Sequence, residues 1–188
     1  MTMTASVPRG TDSWTFEDLH ALPEDGKRYE LIDGRLLVSP QPAVLHYGVV
    51  NRLHELLVLQ GPKHLIVGQN GGVLKRARKD TYLVPDILVT PMSALKGPLA
   101  VFDPKDAVLV VEVLSPGSRK NDNVTKRHYY GWMGVPHYWI VDPIARQLSV
   151  MTLDADNSTY RDVVTVEVGE EWRTEEPFPV TLDPAEFC

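Results

Sequence analysis

The amino-acid sequence predicts an α+β protein, an α/β sandwich in which helices flank a mixed β-sheet. Three observations predict it. Apolar runs of strand length recur at 64–68, 72–75, 81–89 and 107–114. A helical apolar period precedes these runs, and a second helical stretch separates them from a further apolar strand. The dipeptide Asp33-Gly34 joins two strand-like segments, the signal of a tight hairpin.

Taken in order, residues 1–12 read as a disordered tail and 13–188 as one domain. Ser13 is placed to cap a short helix from Trp14 to Leu22, which Pro23 and Gly26 end. Arg28 to Ile32 and Arg35 to Val38 form a hairpin across a type I′ turn. From Ala43 to Gln60, the residues Leu45, Val49, Val50, Leu53, Leu56 and Leu57 share one helical face, with Pro42 near its start and Gly61-Pro62 as its stop. Asp80 and Thr81 belong to the turn between the second and third strand runs. A loop rich in Pro and Gly covers 90–106. The second helix runs from Asn121 to Trp132, ended by Gly131 or Gly134 and Pro136. The apolar strand from His137 stops at Asp142-Pro143. Alternating strands at 147–153 and 160–168 make a C-terminal hairpin before a proline-rich tail.

No window approaches the roughly 18 consecutive apolar residues of a membrane span. The N-terminus lacks the basic and apolar regions of a signal peptide, so cytoplasmic residence is the expectation. Cys188 is the only cysteine, which excludes an intramolecular disulfide and a cysteine zinc cluster. A net charge of −6 argues against a general nucleic-acid binder, but charge acts locally. Lys75, Arg76, Arg78 and Lys79 fall within five residues, either as a phosphate grip or as a solvated hairpin tip.

Two carboxylates stand where none is expected. Glu112 interrupts the run Ala107 to Leu114, and Asp86 interrupts Tyr82 to Val89. A buried ionised carboxylate costs several kcal/mol, to order of magnitude, without a compensating cation or donors. One cation shared by both acids is the functional reading; separate salt bridges or solvent-facing strand positions are the structural one. Pro85 cannot donate to a β-ladder, so Asp86 belongs near a strand end or sheet opening. Carboxylate, carbonyl and water oxygens suit Mg²⁺ or Mn²⁺. Asp122 and Lys126 lie i, i+4 on the second helix, either facing the acids or forming a surface ion pair. Glu30 and His46 are possible accessory groups, and Tyr138 and Trp139 read as core. No Gly-x-Ser-x-Gly elbow, P-loop or His-Glu-x-x-His motif is present.

These residues carry a resemblance. Val84-Pro85-Asp86-Ile87, Val111 to Pro116, Asp122 with Lys126, and Gly134 to Pro143 resemble the Uma2 (DUF820) family, as do Tyr29 to Gly34 and His46. The resemblance spans about Trp14 to Phe187 and implies a PD-(D/E)XK, restriction-endonuclease-like fold with an αβββαβ core. That superfamily usually carries Asp on one strand and Glu-X-Lys on the next. Asp86 and Glu112 match, but Leu114 holds the lysine position. The resemblance points to Lys126 as a lysine moved onto the following helix, with Lys120 in reserve.

The expected activity is Mg²⁺- or Mn²⁺-dependent DNA endonuclease chemistry. Asp86, Glu112 and the Val113 carbonyl would hold metal, Lys126 would orient water, and 75–79 would grip DNA in a homodimer. The rival readings are a non-catalytic nucleic-acid-binding or scaffold protein retaining the fold, and a metal-dependent hydrolase of another phosphate ester.

Overall fold

The computed structural model describes residues 13–39, 41–97, 101–119, 121–154 and 159–188; the expected 1–12 tail and Lys120 lie outside them. In chain order the elements are α1 (Phe16–His20), β1 (Arg28–Ile32), β2 (Arg35–Ser39), α2 (Val44–Gln60), β3 (Leu65–Gln69), β4 (Gly72–Lys75), β5 (Thr81–Leu83), β6 (Ile87–Pro91), β7 (Val101–Phe102) and β8 (Leu109–Val113). A π-helical segment, Asn121–Lys126, then runs into α3 (Arg127–Met133), followed by β9 (His137–Asp142), β10 (Gln147–Leu153), β11 (Tyr160–Glu167), β12 (Trp172–Thr174) and β13 (Val180–Leu182).

The central sheet has the order β11-β10-β9-β8-β6-β3. Only β8 and β9 pair in parallel within it, because α3 carries the chain back across the sheet between them. The succession α2, β3, β6, β8, α3, β9 is the expected αβββαβ core. β10 and β11 extend it as the expected hairpin. A second sheet, β2-β1-β5-β4-β7, packs beside it.

Residue parity divides the core. Ile87, Val89, Leu109, Val111, Val113, Trp139 and Val141 face one way and pack with Val49, Val50, Leu53, Leu56 and Leu57 of α2. Leu88, Val110, Leu114, Tyr138 and Ile140 face the other way and meet Tyr130 of α3 and Ile32, Val73 and Leu83 of the second sheet. Both carboxylate positions, 86 and 112, share this second parity.

The structure corrects four expectations. The cap of α1 is Thr15, not Ser13: Asp18 stands three residues on and accepts the Thr15 N–H at 2.8 Å, closing a capping box. Ser13 has Phe16 at that position and cannot do the same. Leu45 is 56% exposed and lies off the buried face of α2. The run 81–89 is two strands in two sheets, β5 and β6, and the chain crosses between them at Val84, Pro85 and Asp86. The tail is not a plain coil: β12 and β13 form a hairpin whose Trp172 sets its ring edge-on to Trp139, 5.6 Å between centroids. The Asp33-Gly34 turn is as expected, with φ of 49° and 71°, both positive as a type I′ turn requires.

Helix α2 gives a direct test of this packing. Leu53 is fully buried and Leu59 is 72% exposed. Leu53→Ala is expected to cost about 2–5 kcal/mol in urea unfolding. Leu59→Ala is expected to stay within about 0.5 kcal/mol of wild type.

Candidate active site

The register of β6 against β8 pairs Ile87 with Val111. One step further places Asp86 opposite Glu112, on the same face of the sheet. The ladder opens there, because the Val113 N–H donates to Asp86 Oδ2 at 2.8 Å. The sheet crossing at Pro85 thus leaves a main-chain donor for a side chain to take. Strand β1 supplies two more groups by the same alternation. Ile32 is core, so Glu30 and Arg28 point the same way, toward the central sheet. Glu30 Oε1 accepts the Val84 N–H at 2.8 Å, tying β1 to the crossing segment.

The π-helical segment brings the cation. Lys126 Nζ lies 2.9 Å from Glu112 Oε1, 3.0 Å from Glu30 Oε1 and 3.8 Å from Asp122 Oδ1. Its side chain is 4% exposed. Tyr130, one turn on, donates to Glu112 Oε1 at 3.0 Å. The Tyr138 hydroxyl donates to the Asp122 carbonyl at 2.9 Å and steadies the segment from β9. On the other side, His46 Nε2 is 3.0 Å from Asp86 Oδ2, and Arg28 Nη1 is 2.8 Å from Asp86 Oδ1. Arg28, Glu30, His46, Asp86, Glu112, Asp122 and Lys126 line one cavity of about 570 Å³.

Its electrostatics are set by four buried acids and two cations. Burial alone would raise the Asp86 carboxyl, but the His46 hydrogen bond, the Arg28 guanidinium and the Val113 N–H outweigh it and hold it at about 2. Burial pushes Glu112 well above the usual carboxylate range; Lys126 opposes the rise, and Asp122, Asp86 and Glu30 add to it. Burial also raises Asp122. Burial would lower Lys126, yet Glu112, Glu30 and Asp122 together hold it above its ordinary value, so it stays charged. With all four acids ionised the cluster is two negative charges in excess of Arg28 and Lys126.

That excess fits a divalent cation, and so do the oxygen atoms. Asp86 Oδ1 is buried and ion-paired with Arg28 Nη1 at 2.8 Å, the same nitrogen that donates to the Val84 carbonyl at 3.3 Å. Both donors to Glu112 reach Oε1. Among the described residues no three His, Cys, Asp or Glu side chains make a ready ligand cluster. The set is therefore two carboxylates with room for main-chain and water oxygens, which suits Mg²⁺ or Mn²⁺ better than a closed protein cage.

Asp86, Glu112, Lys126, Glu30, His46 and Asp122 all meet at this cavity. Sequence reasoning missed Arg28 and Tyr130. The signals were there: Arg28 lies two residues before Glu30 on the same strand face, and Tyr130 lies four after Lys126. The basic segment lies elsewhere. Lys75 Nζ donates to the Trp132 carbonyl at 2.9 Å and sits 4.3 Å from the centre of that ring. Arg76 pairs with Glu17 and Asp80. Arg78 and Lys79 line a separate hollow with Arg35, Tyr129 and Trp132.

The position of Asp86 predicts acid lability. Its folded pKa of about 2 lies below the ordinary 3.8, so its stabilisation is complete above about pH 4 and drains away as pH falls toward 2. In metal-free buffer, wild type should lose about 2 kcal/mol more than Asp86→Asn between pH 4 and pH 2. Parallel losses in urea titrations of the two proteins would refute this.

Comparison with known proteins agrees with this architecture. A solved structure described as "a putative nuclease belonging to DUF820 from Anabaena variabilis ATCC 29413" superposes with a TM-score of 0.71 at 16% identity, over 92% of this chain and 96% of that one. No curated protein matches the chain at a significant level. The model of the Uma2 family, described as "Putative restriction endonuclease", matches residues 16–185, nearly the whole described domain, and the chain belongs to that family.

Proposed function

We propose that the protein is a Mg²⁺- or Mn²⁺-dependent DNA endonuclease whose active centre is the cavity of Asp86, Glu112 and Lys126. The observation that supports it most is the return of Lys126 to Glu112 at 2.9 Å, although it comes from a different element than the strand lysine of the superfamily. The family, described as "Putative restriction endonuclease", and the structural neighbour, described as "a putative nuclease", point the same way. Asp86, Glu112 and the Val113 carbonyl would hold the metal. Bound there, it supplies Lewis-acid screening of the phosphate and acidifies water.

The protein's own groups have distinct tasks in this reading. Lys126 stays protonated and has no lone pair to take a proton, so its part is electrostatic: it orients water and offsets the charge that builds on phosphorus. Glu30 and Asp122 hold the ammonium in place, and Tyr130 fixes Glu112. His46 fixes Asp86 through Oδ2, and Arg28 faces Oδ1. Two copies of the chain, as a homodimer, would cut the two strands of a duplex. Arg78 and Lys79 are the part of the basic segment left to meet phosphates.

One observation favours the rival. Arg28 at 2.8 Å already gives Asp86 positive charge, as a non-catalytic nucleic-acid-binding protein that had lost its metal would need. Metal binding and cleavage separate the two. Wild type is expected to gain about 2.7 kcal/mol at a hundredfold excess of Mn²⁺ over Kd, and Glu112→Gln to lose that gain. In plasmid nicking, Lys126→Gln should cut about 10²–10³-fold more slowly. It should also lose about 3–5 kcal/mol of metal-free stability, since three buried carboxylates lose their cation, so rates are compared where circular dichroism shows it folded. A wild type that neither gains stability nor nicks with either metal is the rival.

The basic segment divides cleanly under substitution. Replacing Arg78 and Lys79 with Ala should flatten the salt dependence of duplex binding by roughly 0.9 per lost phosphate contact. Replacing Lys75, which is spent on Trp132, should leave the slope alone.

A further inference from the structure

A second hollow, of about 600 Å³, adjoins the acid cavity and shares Arg28, Gln41, Pro42, His46 and Asp86 with it. Its character is different. The ionic groups lining it are Lys27, Arg28 and Asp86, with His46 beside them, whereas Glu30, Glu112 and Asp122 belong to the acid cavity alone. Its floor is apolar, with Val50 and Val84 buried. At its rim Tyr47, the neighbour of His46 in the first turn of α2, is 61% exposed. Amides line the other side: Gln41, Gln69 and Asn70, the last held by Arg28 Nη2 at 3.3 Å. Two buried polar atoms without a hydrogen bond, Asp86 Oδ1 and His46 Nδ1, belong to residues of the shared wall.

We propose that this hollow is a nucleobase subsite, and that the DNA it serves presents an unpaired nucleotide beside the scissile phosphate. The inference rests on the nuclease reading for the position of that phosphate. A phosphodiester at Asp86 has its neighbouring nucleoside within reach of the shared wall. Lys27 and Arg28, paired with Asp25 at 2.6 Å and Asp86 at 2.8 Å, set two cations at the wall where the backbone would pass, the phenol ring of Tyr47 offers a stacking face, and the amides can read a base edge. A base inside a duplex is covered on both faces by its neighbours and cannot reach a floor made of Val50 and Val84. An unstacked base can.

The probe is a twelve-nucleotide single strand carrying one central 2-aminopurine, titrated in EDTA and followed by fluorescence, beside the same strand annealed to its complement. Wild type should bind the single strand more tightly than the duplex at equal salt. Tyr47→Ala should weaken single-strand binding about tenfold, the loss of one stacked base, and leave duplex binding unchanged. Tyr47→Phe should restore it. Asn70→Gly, which keeps the left-handed turn where φ is 58°, should weaken single-strand binding to a lesser degree. A Tyr47→Ala variant that binds the single strand like wild type overturns the subsite, even if wild type nicks plasmid with Mn²⁺. A wild type that shows the Tyr47-dependent binding but cuts nothing with any divalent metal keeps the subsite and loses the nuclease.

Discussion

The Lys126 ammonium joins three carboxylates from three separately folded parts of the molecule: Glu30 on β1, Glu112 on β8 and Asp122 on the π-helical segment. Removing two of these charges from water is already expensive, and a buried pair alone rarely stabilises a fold. What makes the arrangement tolerable is that each carboxylate also has a neutral donor or a second anchor. Glu30 takes the Val84 N–H and Glu112 takes the Tyr130 hydroxyl. The second sheet, the central sheet and the crossover helix therefore share one electrostatic centre, the two sheets through strand alternation and Lys126 through the π-helical segment.

Much of this was legible in the residues, because the signals were local. The Asp33-Gly34 turn, the period of α2 and the apolar runs each depend on a few neighbouring positions. The carboxylates at 86 and 112 stood out because burial makes them costly, and that cost led to the cavity. What stayed hidden depended on pairing between distant segments. Nothing between Tyr82 and Val89 except Pro85 marks the passage from one sheet to another, and both halves are equally apolar. The β12–β13 hairpin is short and proline-flanked, and its packing on the core through Trp172, Phe178, Val180 and Leu182 is a contact between distant segments. Arg28 looked like the start of an ordinary strand until β1 was seen to face the acids. Lys75 and Arg76 looked available until their partners, Trp132, Glu17 and Asp80, were in place.

Pro85 links the fold to the site. β5 ends at Leu83, and a residue with no N–H to donate then sits in the crossing without breaking a ladder bond, while Asp86 beside it stays outside sheet pairing. Its carboxylate then takes the Val113 N–H that a continuous strand would have used, and the gap between the sheets becomes the mouth of the cavity. Glu112, by contrast, lies within β8 and is held by its pairing with Ile140 of β9, one step past the last β6 pair, Ile87 with Val111. One carboxylate is fixed by the sheet and the other by the place where the sheet is interrupted.

The π-helical segment before α3 has a further consequence. A strand lysine two residues from its glutamate shares that strand's fate, and the two cannot separate without unzipping the sheet. Here the ammonium is fourteen residues along the chain, on a wide helical turn whose anchors to the rest of the protein include Tyr138. Opening of that short helical unit would withdraw the positive charge from Glu30 and Glu112 without unzipping a strand. Hydrogen-exchange protection at 121–133 and the charge state of the cavity thus belong to one equilibrium.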